Sequence, residues 1–419
     1  MSRPLLAVLG VLVLVMGLGI GIGAGMLAST PASSVAAVGT PSPSPAPTMA
    51  AATDPAPPVE LPSAAQSASP SPVPTPTPVP TPTPEPTPIL VPAPLTGAPV
   101  REDVAANRVI AVMVDDLYAA RPQSGLSQAD VVWHAPAEGG IPRYEAWFQS
   151  RYPTKVGPIR SSRLYFVAWA AEWKAMHVHV GGSPQALAVL NSPKGRGKVV
   201  YNADQVRWGR YLYRVTFRYA PHNVYSDDKN LRKLAKAVGA KPVPGQAPHW
   251  KFGPEAPLEA RPEGGKVIVP YPANRVTYAY DRKTNTYKRS VSAEGKQFDA
   301  ATKPKTRIAP KNVVIMVVQF ISLGDSKHRL DGQVTGSGTA WIATNGETIK
   351  GTWRKKSFSA PVNFYTSDGT EVTLSIGQTF VQVVPRGTKI TLVAGKAVDP
   401  AAASPSAAPS PSAAPSATP

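Results

Sequence analysis

The residues best able to do chemistry lie between positions 115 and 222. Arg160, Ser161 and Arg163 stand at the expected start of a helix over 161–174. Free backbone N–H groups and the positive end of the helix dipole would meet two guanidinium groups there, making a cradle for an anion. Arg121 and Arg143 can supply further walls, and His179 and His222 complete the candidate ligand-binding set. A competing reading uses the same side chains. The arginines pair with Asp115, Asp116 and Glu138 and simply tie loops together.

Catalytic chemistry has fewer supports. His177 and His179 sit two apart on an expected strand, so their rings share a face and could join Asp115, Asp116 or His222 around a divalent ion. No H-E-x-x-H pattern accompanies them, and neither a metal site nor a cofactor is expected. Ser183 lies between an expected strand and helix, as in a nucleophile elbow, but Gln185 stands where the second glycine of Gly-x-Ser-x-Gly belongs. Ser183 followed by Pro184 reads more simply as a helix cap. The candidate catalytic set is Asp115, Glu138, His179 and Ser183, either as a Ser183/His222/Asp115 hydrolase or as a carboxylate pair acting on a sugar polymer. Tyr144, Trp147, Tyr165 and Trp169 could stack on sugars, yet the last two are four apart and fit a core stripe.

These side chains need a frame. The run RVIAVMVD over 108–115 reads as a buried strand, with further strands over 131–134, 144–149 and 175–180. Helices are expected over 161–174, 183–190 and 229–238, the last capped by the Asp227-Asp228 pair. Alternating strands and helices predict an α/β layered domain over 100–240. After a Pro/Gly-rich connector at 241–265, eight short β-prone runs fill 266–398, as in a β sandwich or barrel. The fold class expected overall is α+β. Within the second half, Trp353, Arg354, Lys355, Lys356 and Phe358 form a basic, aromatic strand that faces either a partner or, in part, the core.

The rest of the chain sets the address. Residues 5–27 are apolar and uncharged behind Arg3, long enough at 1.5 Å per residue to cross a hydrocarbon core of ~30 Å, so 1–28 reads as a transmembrane anchor or signal. Residues 29–99, crowded with proline, read as a disordered stalk, and 399–419 as a disordered Ala/Ser/Pro tail. Arg3 on the short side places the folded part outside the cytoplasm, at a cell membrane. Every basic residue except Arg3 falls within 100–398, so that part exceeds the net +18 of the whole chain and favours polyanions. The compartment argues against nucleic acid. There is no cysteine, which excludes thiol nucleophiles, disulfides and a lipid-bearing N-terminal cysteine.

The stretches VMVDD, RPQSGLSQADVVWHAPAEGGIPRY, KVGPIRSSR, HVHVGGSPQAL and PHNVY, with YDRKTNTYKR, NVVIMVVQF and NFYTSDGTEVTLSIGQTF later, resemble the YerB-like lipoprotein family, a family of unknown function. The resemblance covers nearly all of the folded part and implies a bacterial envelope protein, with no activity attached. Two departures stand out: an apolar run and stalk replace the family's lipid-modified cysteine, and Asp116 replaces its usual Asn. The expectation is a membrane-anchored extracytoplasmic module. It binds an anionic envelope polymer or an envelope protein through the arginine face, the alternative being a hydrolase or transferase of envelope glycopolymers.

Overall fold

The structure, a computed structural model, describes residues 89–192, 198–292 and 294–398. The expected anchor at 1–28, the stalk as far as residue 88 and the tail at 399–419 lie outside the described residues. Among the described residues no helix is long and apolar enough to cross a membrane.

The stretch 89–99 is not stalk. Leu90–Pro92 pairs antiparallel with Pro99–Arg101, and Ala93 and Leu95 between them are buried. Two apolar side chains with a core to enter outweigh the proline-rich setting.

The strands that matter are, in chain order, β1 Ile110–Asp115, β2 Val131–Pro136, β3 Pro142–Phe148, β4 Met176–His179, β5 Tyr201–Asp204, β6 Lys266–Tyr271, β7 Asn274–Asp281, β8 Thr286–Val291, β9 Gly295–Lys296, β10 Asn312–Val318, β11 Gly336–Thr344, β12 Glu347–Lys355, β13 Val362–Thr366, β14 Thr379–Pro385 and β15 Thr391–Val393. Helices α1 Leu164–Ala170, α2 Pro184–Leu190 and α3 Asp228–Ala237 accompany them. The class is α+β, rich in sheet.

One ten-stranded sheet runs β13-β12-β11-β10-β14-β2-β3-β1-β4-β5 and draws strands from both halves of the chain. The second half is β-rich, but its longest strands continue the sheet of the first half instead of closing a sandwich or barrel. The join is the parallel pairing of β14 with β2, Thr379 facing Val131 and Gln382 facing His134. Both strands are buried along nearly their whole length, as a central parallel pair requires.

Alternate residues of the sheet feed two cores. Ala111, Met113, Trp133 and Trp147 meet α1 and α2 on one face. Ile110, Val112, Val114 and Tyr144 meet α3 and the second sheet, of order β9-β8-β7-β6-β15, on the other. Trp133 stacks on Trp169 at 4.5 Å with Trp147 beside it, so Trp147, Tyr165 and Trp169 belong to the core and cannot stack on a sugar. In β12, Trp353 is buried and Lys355 is sealed against Glu172, leaving Lys350 and Arg354 as the outward cations of that strand.

Candidate functional site

Strands β1, β4 and β5 are parallel neighbours, so Asp115, His179 and Asp204 end at one edge of the sheet. Ligands of open α/β sheets bind beyond such carboxyl ends. Residues 159–162 lie along the same edge in extended form, bridging Val114 at Ile159 and Gly182 at Ser162. Arg160 N donates to Met113 O at 3.0 Å, and Val180 N donates to Arg160 O at 3.1 Å. This corrects the expected helix over 161–174. The bridges hold 160–162 extended, α1 begins at Leu164, and no side-chain cap closes it. Arg160 and Ser161 therefore sit on the sheet edge and not at a helix N-terminus.

Each of the four arginines has a carboxylate. Asp115 Oδ2 lies 2.9 Å from Arg160 Nε in a salt bridge and 2.6 Å from His222 Nδ1. Glu138 is shared: Oε1 takes Arg143 at 2.5 Å and Oε2 takes Arg163. Arg143 also donates to Ser161 O at 3.0 Å and Arg163 to Ser162 O at 2.6 Å. Burial acts to raise Glu138, but the two guanidinium groups hold it below the usual carboxylate range. Burial, with Arg143 next to it, brings Arg163 down to about 10. The arginines do tie loops together, as the competing reading has it. Two cations on one carboxylate leave the Arg143–Glu138–Arg163 cluster one charge positive.

Arg121 turns the other way, to Asp116 Oδ1 at 3.0 Å. Asp116 is the hub of a fully buried network. Its Oδ1 also accepts from Gln123 and Tyr144, both at 3.1 Å, and its Oδ2 meets His134 Nε2 at 2.9 Å and Asn274 Nδ2 at 3.2 Å. His134 Nδ1 lies 2.9 Å from Gln382 Oε1, and Tyr271 donates to His134 O at 2.9 Å. Burial disfavours its charge, yet His134, Arg121 and Arg289 bring Asp116 down to about 2. Three of the network's partners, Gln382, Tyr271 and Asn274, lie across the β14–β2 join or in the second sheet, so Asp116 locks the halves together.

Ser183 accepts from Ala186 N at 3.2 Å and caps α2. A Ser183/His222/Asp115 relay is not assembled, because that hydroxyl serves the helix. His179 Nδ1 donates to Gly181 O at 2.8 Å, with Nε2 2.8 Å from Asn202 Oδ1, and burial brings it down to about 4. Gly181, at φ +61°, makes the turn that lets its own N–H reach Asp204. No group of three or more His, Cys, Asp or Glu able to hold a metal occurs among the described residues.

Two arrangements escaped the sequence reading. In the first, Ser162 Oγ lies 2.7 Å from His177 Nε2, and His177 Nδ1 lies 3.0 Å from Glu145 Oε1. All three are completely buried. Burial pushes His177 down to about 3 and Glu145 well up, favouring the neutral form of each. A sealed relay holds the sheet and offers no entry to a substrate. The signal was available: His177 and Glu145 are polar residues inside apolar strands, which demand buried partners.

The second arrangement is a hollow of about 420 Å³ beside Asp115, lined by Ala119, Arg121, Phe217, Arg218, Tyr219 and His222. Arg218 donates to Ala119 O at 2.6 Å and Pro122 O at 2.8 Å, and among the described residues it forms no salt bridge, with Glu294 within electrostatic reach. Phe217 is 63 % exposed and Tyr219 91 %. The run YRVTFRY over 213–219 carried the signal, mixing aromatics and arginines without the alternation of a core strand.

Known proteins match along the same lines. The family model described as "Protein of unknown function (DUF3048) N-terminal domain" matches residues 95–241, and its C-terminal counterpart matches 267–381. The chain is 32 % identical over 319 residues to a candidate lipoprotein, YerB, of Bacillus subtilis (strain 168), a match covering 73 % of this chain and 90 % of the other. The crystal structure of the Bacillus subtilis YerB protein superposes with a TM-score of 0.63 at 30 % identity, over 71 % of this chain and 99 % of that one.

Proposed function

The chain belongs to the YerB-like family of two-domain proteins of unknown function, and from that premise we propose an extracytoplasmic, membrane-anchored envelope protein that binds an anionic, sugar-bearing wall polymer. The lipoprotein description of the relative supports the address. With no cysteine to carry a lipid, the apolar run at 5–27 takes over the anchoring, and the proline-rich segment after it serves as a spacer.

One observation carries the ligand: exposed aromatic faces at Phe217 and Tyr219 border a hollow whose walls carry the guanidinium groups of Arg121 and Arg218 beside His222. Aromatic faces suit sugar rings and guanidinium groups suit anions. The Arg160–Asp115–His222 chain of contacts links this hollow to the positive edge at Glu138.

The test is titration of the full chain in nonionic detergent with a polyuronate and with its carboxyl-reduced, neutral form. The polyuronate should bind and lose affinity steeply with salt, while the neutral form should not bind. Tyr219→Ala should weaken binding about fivefold, near 1 kcal/mol. Equal binding of the charged and neutral polymers, or no effect of Tyr219→Ala together with Arg160→Ala, would overturn the reading.

A further inference from the structure

A second cavity, of about 360 Å³, opens at the opposite end of β1, where Arg108 precedes the strand and the C-terminus of α3 comes near. Its wall is largely apolar, from Ala235, Ala240 and Pro242, with Tyr152 at one side. Its rim carries Arg108, Arg232, Lys236 and Lys241 and no acidic residue.

Partnership separates this cavity from the arginine edge above. Arg108 donates from Nε to Lys241 O at 3.0 Å and from Nη1 to Trp173 O at 3.4 Å, and its guanidinium lies 5.5 Å from the Tyr201 ring centroid. Among the described residues neither it nor Lys236 nor Lys241 has a carboxylate partner. Arg232 is paired with Asp228 and lies over the Tyr152 ring at 4.3 Å. Arg108 is thus held in place by backbone carbonyls, half-buried, with N–H groups to spare and no counter-charge. A desolvated guanidinium in that position is one an incoming anion stabilises.

The C-terminus of α3 would repel an anion if its carbonyls were bare. Three of its last four are covered: Val238 N donates to Leu234 O at 2.9 Å, Ala240 N to Ala235 O at 2.8 Å and Gly239 N to Lys236 O at 3.2 Å. The cavity therefore presents cations around an apolar floor.

We propose that this cavity is a second binding site, independent of the aromatic hollow, for a phosphate group carried on an apolar body. Arg108 and Lys241 hold the phosphate, Lys236 closes the rim, and the apolar part lies on Ala235, Ala240 and Pro242. A phosphate of this kind occurs both as a lipid head group and as a soluble alkyl phosphate.

The experiment uses the full chain in phosphatidylcholine nanodiscs. Hexyl phosphate is titrated in, and protection of Lys236 and Lys241 from acetylation is read by mass spectrometry. A second arm replaces hexyl phosphate with nanodiscs doped with phosphatidylglycerol. Saturable protection by hexyl phosphate should appear and weaken about tenfold or more in the Lys236→Glu/Lys241→Glu variant, read then by calorimetry. Both lysines are exposed, so that variant keeps the fold. Arg160→Ala should leave binding unchanged. Protection by phosphatidylglycerol alone assigns the phosphate to a lipid head group, and protection by hexyl phosphate alone assigns it to a soluble ligand. Absence of protection in both arms overturns the site, as does undiminished binding of hexyl phosphate by the double variant.

Discussion

Asp115 and Asp116 are neighbours in sequence and opposites in structure. Asp115 ends β1 at the sheet edge, where its oxygens meet Arg160 and His222 beside an open hollow. Asp116 turns inward and meets five polar side chains from both halves of the chain with no solvent exposure of its carboxylate. The same residue type, one position apart, serves recognition in one case and assembly in the other. Which role it takes depends on where the strand stops, because successive residues point to opposite sides.

The comparison breaks most sharply at Asp116. Asp116→Ala leaves His134, Gln123, Tyr144 and Asn274 without their common acceptor and strips Arg121 of its counter-charge. It should cost about 3–5 kcal/mol, the range for removing one partner of a buried ion pair. Chemical denaturation of the variant measures it. A loss no larger than that of Asp115→Ala would mean the hub is not what joins the halves.

How much of this was legible beforehand follows from the same pair. The strands and short helices of the first half could be read from apolar runs and capping residues. So could the cap at Ser183, and the pairing of the arginines with Asp115, Asp116 and Glu138 stood among the readings. The β14–β2 join could not be read. Its partners, His134 and Gln382, are 248 positions apart, and local periodicity carries no register between distant strands. The helix over 161–174 was overextended for a related reason. Ser161 looks like a cap in sequence, whereas bridges to Val114 and Gly182 hold its neighbourhood in the sheet. The aromatic hollow is built on a run whose mix of aromatics and arginines fits no strand or helix period, and its Arg218 forms no salt bridge among the described residues, whereas the arginines that stand near carboxylates in sequence are paired.

The sealed relay gives the next test, since it is as buried as the hub but differs in how its charge is handled. Burial pushes His177 down to about 3 and Glu145 well above its usual range. Folded, burial favours one proton on the pair, held by Glu145. Unfolded, between pH 4.5 and 6.5, it also holds one, on the histidine, so this pair adds no pH dependence there. Glu145→Gln removes the folded-state proton and keeps an acceptor for Trp147 Nε1, now 3.0 Å from Glu145 Oε2. What remains is the depressed His177 alone, whose stabilisation is complete above pH 6.5 and is lost as pH falls toward 3. The variant should therefore lose about 1.4 kcal/mol per pH unit relative to wild type between pH 6.5 and 4.5. Denaturant midpoints at pH 7 and pH 5 decide it. Parallel curves for the two proteins would show that the proton is not shared as described.

The smallest effect on stability belongs to Asp115, and there the informative readout is binding. Asp115→Asn keeps the shape of the side chain and lets Arg160 and His222, both partly exposed, recover water. The cost should be about 1 kcal/mol, that of an ordinary hydrogen bond. Because a negative charge leaves a positive edge, affinity for a polyuronate should rise a few-fold at low salt and return to the wild-type value at high salt. If affinity falls at every salt concentration instead, Asp115 acts by holding Arg160 and His222 in place. The edge would then work through geometry rather than net charge, a role the Asp116 network has only within the core.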